Sequence, residues 1–179
     1  MPIRDAIQFF EPKNGCHAIF GNRGVSGIDG NIATAAGIVE GTKKPLLALI
    51  GDLTFLHDVN SLALLHKIKH PLILCVVNNG GGGIFSFLPI SKRKEAFEEF
   101  IAAAHEVSFD SAAELFGLPY FHPTSLEELK SILAKPHTCI IEITTDRAEN
   151  VRVHEQIITE ISSCLNAAQS PMEIPVTLH

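Results

Sequence analysis

Hydrophobic residues along this chain fall in short blocks, and the blocks are of two kinds. Continuous apolar runs at 46–50, 72–77 and 139–144 predict strands, the first buried on both faces as in a parallel sheet. A shorter run, His17-Ala18-Ile19-Phe20, ends at Gly21 and reads as a further strand end. Between these runs the apolar positions are spaced for helices. Residues 31–40 are rich in Ala and Gly and predict a helix that packs closely. In 59–69, Leu62, Leu65 and Ile68 predict an amphipathic helix stopped by Pro71. Residues 95–106 are helical by composition, and Asp110 is a candidate N-cap for a helix carrying Ala112, Ala113, Leu115 and Phe116 that ends at Gly117. Ser125-Leu126-Glu127-Glu128 is a capping box for a helix reaching Ala134. The last helix, 151–165, places Val153, Ile157, Ile158, Ile161 and Leu165 at apolar positions.

Strands alternating with helices predict an α/β fold: an open, mostly parallel sheet with helices on both faces. At 179 residues the chain suits one domain, expected over 1–169, with an extended tail at 170–179. The formal charge of −6 and the absence of a long basic run argue against a nucleic-acid partner. None of the four cysteines, Cys16, Cys75, Cys139 and Cys164, forms a CxxC pair. Cys75 and Cys139 lie in apolar runs and read as buried free thiols. The chain has no signal-peptide pattern and no apolar run near the ~20 residues that span a bilayer, so a cytoplasmic protein is expected.

In open parallel sheets ligands bind beyond the carboxyl ends of the strands. The informative joints are therefore those after Phe20, Ile50 and Val77. The stretch from Gly51-Asp52 to Asn78-Asn79-Gly80-Gly81 runs strand, helix, strand, Gly-rich turn, which would set Asp52 and Asn79 side by side at one sheet edge. Taken singly, Asp52 reads as a turn or helix cap, the two asparagines as turn residues and the glycines as a loop. Taken together, a carboxylate and an amide carbonyl are hard ligands suited to Mg²⁺, and the glycines allow a diphosphate to approach the backbone.

These segments resemble the thiamin diphosphate enzymes, in which a Gly-Asp pair precedes an Asn by a little under thirty residues, here Gly51-Asp52 to Asn79. Leu53 stands where the family has Gly, and Gly80 where it has Asn. Within the family, three segments resemble the menaquinone-pathway synthase branch, MenD. They are Gly51-Asp52-Leu53-Thr54 with Asp58-Val59-Asn60, Gly21-Asn22-Arg23-Gly24-Val25-Ser26-Gly27-Ile28-Asp29-Gly30, and Gly82-Gly83-Ile84-Phe85-Ser86-Phe87-Leu88-Pro89.

The resemblance implies a 2-succinyl-5-enolpyruvyl-6-hydroxy-3-cyclohexene-1-carboxylate synthase, which decarboxylates 2-oxoglutarate and adds the remaining unit to isochorismate. It implies that Asp52, Asn79 and the Gly81 carbonyl hold Mg²⁺, with Mn²⁺ as a substitute. Gly51, Leu53, Thr54 and Gly82 would line the diphosphate of thiamin diphosphate, and Ile28 would support the bent cofactor. Ile84, Phe85 and Leu88 would wall the thiazolium and the second substrate. Arg4 and Arg23 would meet substrate carboxylates, a task suited to planar guanidinium groups. Arg4 also reads as a solvated terminal charge, and Arg23 as a turn residue.

No catalytic residue is expected in this chain. The resemblance implies that the activating Glu lies on a pyrimidine-binding domain of a neighbouring subunit, in a homo-oligomer. The isolated chain is accordingly expected to be inactive. The alternatives are a non-catalytic binding or assembly module, or a domain of another thiamin diphosphate decarboxylase or carboligase. A dinucleotide-binding reading is weak, because no GxGxxG joins an early strand to a helix.

Overall fold

The computed structural model describes residues 4–6, 18–22, 24 and 27–168. Helix α1 (Asn31–Thr42) lies against the sheet through Ile32, Ala35, Ala36 and Val39, and its two small residues permit the close approach read from the sequence. Gly30, which precedes it, offers no side-chain cap. The buried Asp58 carboxylate supplies one from a distance, accepting from Ile32 N at 2.6 Å and Ala33 N at 3.0 Å. An anion at that helix end also complements the helix dipole.

Strands β1 (Leu46–Gly51), β2 (Leu72–Asn78), β3 (Tyr120–Phe121) and β4 (Cys139–Thr144) form one parallel sheet in the order β1-β2-β4-β3. Alternation along β2 sends Leu72, Leu74 and Val76 into one core with Ile32, Val39, Phe55, Leu62 and Phe109. Ile73 joins Cys139 and Ile141 on the opposite face, under Leu129, Ile132 and Leu133 of α5 (Leu126–Leu133). Helices therefore cover both faces, as expected. Burial raises the thiols of Cys75 and Cys139 to about 11, so both are free, buried groups with little thiolate character.

Several expectations need correction. β1 is not buried on both faces: Leu47 is 51% exposed, because it sits beside Ile73 on the face that α5 covers only further along the sheet. The 59–69 segment is a 3-10 helix over Val59–His66. Leu62 and Leu65, three residues apart, stack on one face at three residues per turn, and Ile68 lies beyond the helix end. The single helix expected at 95–106 is only a short turn, α3 (Lys94–Ala96), followed by a π-helical turn (Phe97–Ile101). Helical bonding stops there because tertiary bonds take its place: Ala102 O accepts from Gly82 N at 2.5 Å, and His105 N donates to Gly80 O at 3.2 Å.

Asp110 is the first residue of α4 (Asp110–Leu115), not its cap; the preceding Phe109 N donates instead to Glu142 Oε2. Residues 18–22 form no strand; Ile19 and Phe20 are exposed, and no sheet partner faces them among the described residues. His17 and the tail at 170–179 lie outside the described residues. The Ser125 cap is present, with Oγ accepting from Glu128 N at 3.2 Å. The last helix, α6 (Arg147–Ala168), is longer than expected and leaves Ile158, Ile161 and Leu165 exposed. Among the described residues no helix is long and apolar enough to cross a membrane.

Candidate functional site

The site is built where β1 and β2 end. Their register pairs Gly51 with Val77, so the chain leaves both strands at one edge, into α2 (Asp52–His57) and into the glycine turn. Asp52 is 3% exposed, and its carboxylate is turned onto that glycine segment. Oδ2 accepts from Gly81 N at 2.8 Å and Asn79 N at 3.2 Å, while Oδ1 accepts from Leu53 N at 2.7 Å. One end of the Asn79 amide lies 3.1 Å from Asp52 Oδ2 and 2.6 Å from the Gly81 carbonyl oxygen. With nitrogen at that end the amide donates to both. With oxygen there, three oxygens converge, and a cation between them removes the repulsion. The two separations from the Asn79 position, 3.1 and 2.6 Å, lie on either side of the roughly 2.9 Å between adjacent oxygens of an octahedron with 2.0–2.1 Å Mg²⁺ bonds. The residues present therefore fit the cation expected from the sequence. Among the described residues no group of three His, Cys, Asp or Glu offers another metal site.

The glycines are required by space. Gly80 and Gly81 have φ of 70° and 135°, and a Cβ on Gly81 would meet Ala102 O at 2.6 Å. A Cβ on Gly83 would meet the Asn79 amide at 2.6 Å. Two open clefts flank Asn79. One of about 730 Å³ is lined by Ser86, Lys94, Phe97 and Arg147; the other, about 380 Å³, by Gly80, His105, Glu142 and Thr144.

The other expected residues are spread around this centre. Gly51, Leu53 and Thr54 surround Asp52 at the strand end, half-buried. The Leu53 and Gly82 amides are engaged within the chain, to Asp52 and to Ala102. Ile84 is half-buried, whereas Phe85, Leu88 and Ile28 are exposed. Ile84 and Phe85 lie in the 3-10 turn Gly83–Phe87, which packs against α6. Arg4 is exposed on a helical turn whose Asp5 meets His154 Nε2 at 2.9 Å, and the His154 ring is 5.1 Å from that of Phe87. This holds the Arg4 turn near the Ile84–Phe85 segment. Arg23 lies outside the described residues.

Three residues absent from the sequence reading shape the site. Glu142, buried in β4, accepts from Asn78 Nδ2 at 2.7 Å, Phe109 N at 3.0 Å and Tyr120 OH at 2.7 Å. Asn78 Oδ1 in turn accepts from Gly80 N at 3.0 Å, which fixes the glycine turn. Burial first, then the bond to Glu142, pushes the Tyr120 hydroxyl up to about 12. His105 places Nε2 3.3 Å from Asp52 Oδ2. Arg147 pairs with Glu98 at 2.7 Å, and its Cγ stands 3.6 Å from where a Gly83 Cβ would be. A charged residue inside the apolar run of β4 was a readable signal for Glu142; His105 and Arg147 carried none.

The chain is similar to several known proteins. A 2-succinyl-5-enolpyruvyl-6-hydroxy-3-cyclohexene-1-carboxylate synthase of Salinibacter ruber is 47% identical over 161 residues, covering 88% of this chain and 27% of the relative. The protein of that name from Rubrobacter xylanophilus is 43% identical over 164 residues, 88% of this chain and 28% of the relative. That from Chlorobium phaeobacteroides is 44% identical over 172 residues, 93% and 30%. The chain thus spans under a third of the length of these curated relatives. The crystal structure of benzoylformate decarboxylase from Polynucleobacter necessarius shares the fold, with a TM-score of 0.51 at 20% identity, over 65% of this chain and 23% of that one. A family profile described as "Thiamine pyrophosphate enzyme, C-terminal TPP binding domain" matches residues 4–143, and the chain belongs to that family.

Proposed function

We propose that this chain is the diphosphate- and Mg²⁺-binding part of a thiamin diphosphate-dependent synthase that decarboxylates 2-oxoglutarate and adds the succinyl-semialdehyde unit to isochorismate. The carrying observation is the convergence of the Asp52 carboxylate, the Asn79 amide and the Gly81 carbonyl at the ends of two adjacent parallel strands. The extent and identity of the match to the synthases support the substrate assignment.

In this reading Asp52, Asn79 and Gly81 hold Mg²⁺ (or Mn²⁺), and Gly51, Leu53, Thr54 and Gly82 line the diphosphate. With the Leu53 and Gly82 amides engaged internally, these two positions supply room and shape more than donors. Ile28, Ile84, Phe85 and Leu88 offer exposed or half-buried apolar surface for the rings of cofactor and substrate. Arg4 and Arg23 receive substrate carboxylates. Thiamin diphosphate supplies the electron sink for decarboxylation and carbon–carbon bond formation. The chain's own residues position it and hold the cation that would offset the diphosphate charge. The activating Glu comes from a pyrimidine-binding domain of a neighbouring subunit, in a cytoplasmic homo-oligomer.

Titration of thiamin diphosphate into the chain together with that domain, with and without Mg²⁺, tests the reading. Retention is expected only with the metal and is lost in Asp52→Ala. Metal-independent retention, or unchanged affinity in Asp52→Ala, would refute it. The isolated chain is expected to release no CO₂ from 2-oxoglutarate.

A further inference from the structure

His105 belongs to none of the segments that carry the family resemblance, yet it reaches the centre of the site. Its side chain is 11% exposed, and its Nε2 is buried, 3.3 Å from Asp52 Oδ2, without a completed hydrogen bond. The tautomer follows from the other ring nitrogen. Val107 N donates to Nδ1 at 3.2 Å, which assigns Nδ1 as the acceptor and the ring proton to Nε2, the nitrogen 3.3 Å from the carboxylate.

The chain places the ring there at some cost. Ala103 takes a φ of 47°, a left-handed conformation uncommon outside glycine. On either side, Ala102 O receives Gly82 N and His105 N reaches Gly80 O, so the segment 102–105 is laced to the glycine turn. Phe109, in the buried core, backs the imidazole with ring centroids 6.3 Å apart.

Resting on the cation reading of Asp52, Asn79 and Gly81 above, we propose that His105 is a positioning residue for this site. Its Nε2–H is the side-chain donor that orients the Asp52 carboxylate toward the cation. The two backbone donors to Oδ2 belong to the glycine turn itself. His105 adds a donor from a separate segment and so ties the carboxylate's rotation to the wall of the site. Partners of this outer kind fix ligand geometry, and their loss weakens metal binding.

The test is Mn²⁺ titration of the chain together with the pyrimidine-binding domain, in the presence of thiamin diphosphate, followed by electron paramagnetic resonance, for wild type, His105→Asn and His105→Gln. The Asn amide matches the position of Nδ1 and stops short of Nε2, whereas the Gln amide carries an N–H to the Nε2 position. Thermal denaturation checks that both variants are folded. His105→Asn is expected to bind Mn²⁺ roughly 10- to 100-fold more weakly with an altered spectrum. His105→Gln is expected to stay within about threefold of wild type and to keep the wild-type spectrum. Equal affinities in all three proteins, or equal weakening in both variants, would overturn the role of the Nε2 donor while leaving the cation site standing. Absence of Mn²⁺ binding by wild type would overturn the cation site, and this inference with it.

Discussion

Replacing Glu142 by Gln removes one negative charge and one acceptor from the buried junction that links β2, β4 and the glycine turn. Glu142 accepts three bonds, from Asn78 Nδ2, Phe109 N and Tyr120 OH. A Gln amide cannot serve all three. If its oxygen faces Phe109 and Tyr120, its NH₂ meets the NH₂ of Asn78; if it is turned over, the buried Phe109 amide loses its acceptor. Either arrangement strands one buried donor, at about 1–3 kcal/mol, and the remaining bonds lose their charge assistance, about another 1 kcal/mol. The expected loss is therefore about 2–4 kcal/mol, a fall in Tm of roughly 5–15 °C for a chain of this length.

The same change has a spectroscopic readout. Tyr120 is the one tyrosine of the chain, and there is no Trp, so absorbance at the phenolate band reports it alone. In wild type its hydroxyl titrates near 12, above the ordinary 10, because of burial and then the Glu142 bond. The stability tied to this shift is whole below pH 10 and is lost as the pH rises from 10 toward 12. Glu142→Gln should lower the midpoint, measured by rapid pH jump, without bringing it fully to 10, since burial remains. A wild-type midpoint at 10, an unchanged midpoint in the variant, or a stability loss under about 1 kcal/mol would refute the reasoning.

Two further outcomes follow from the geometry. Asp58→Ala should cost about 2–3 kcal/mol in urea unfolding, because Ile32 N, Ala33 N and Ser61 Oγ all lose a buried anionic acceptor. A cost within about 0.5 kcal/mol would show that the distant cap is not needed. Gly81→Ala should destabilise by about 2–3 kcal/mol and abolish Mn²⁺ binding together, since its Cβ would strike Ala102 O in a backbone conformation disfavoured for alanine. A stable variant that retains Mn²⁺ would contradict the packing of segment 102–105 on the turn.

The strands β1, β2 and β4 and the Ser125 cap were legible because each is a local pattern: a run of apolar residues, or a hydroxyl three residues before a carboxylate. The pairing of Asp52 with Asn79 was legible too, since two parallel strands of similar length must end together. The 3-10 form of Val59–His66 was present in the three-residue spacing but overshadowed by the commoner helix. What the sequence could not disclose depends on bonds between distant segments. Asp58 caps a helix that begins twenty-seven residues before it, and Glu142 reaches back sixty-four residues to Asn78. The helix expected at 95–106 gives way because the glycine turn takes its backbone partners, and that exchange delivers His105 to Asp52. A local period fixes which face of an element is apolar. Only the packed chain decides which polar group meets which, because hydrogen bonds depend on ångström distances that no sequence spacing encodes.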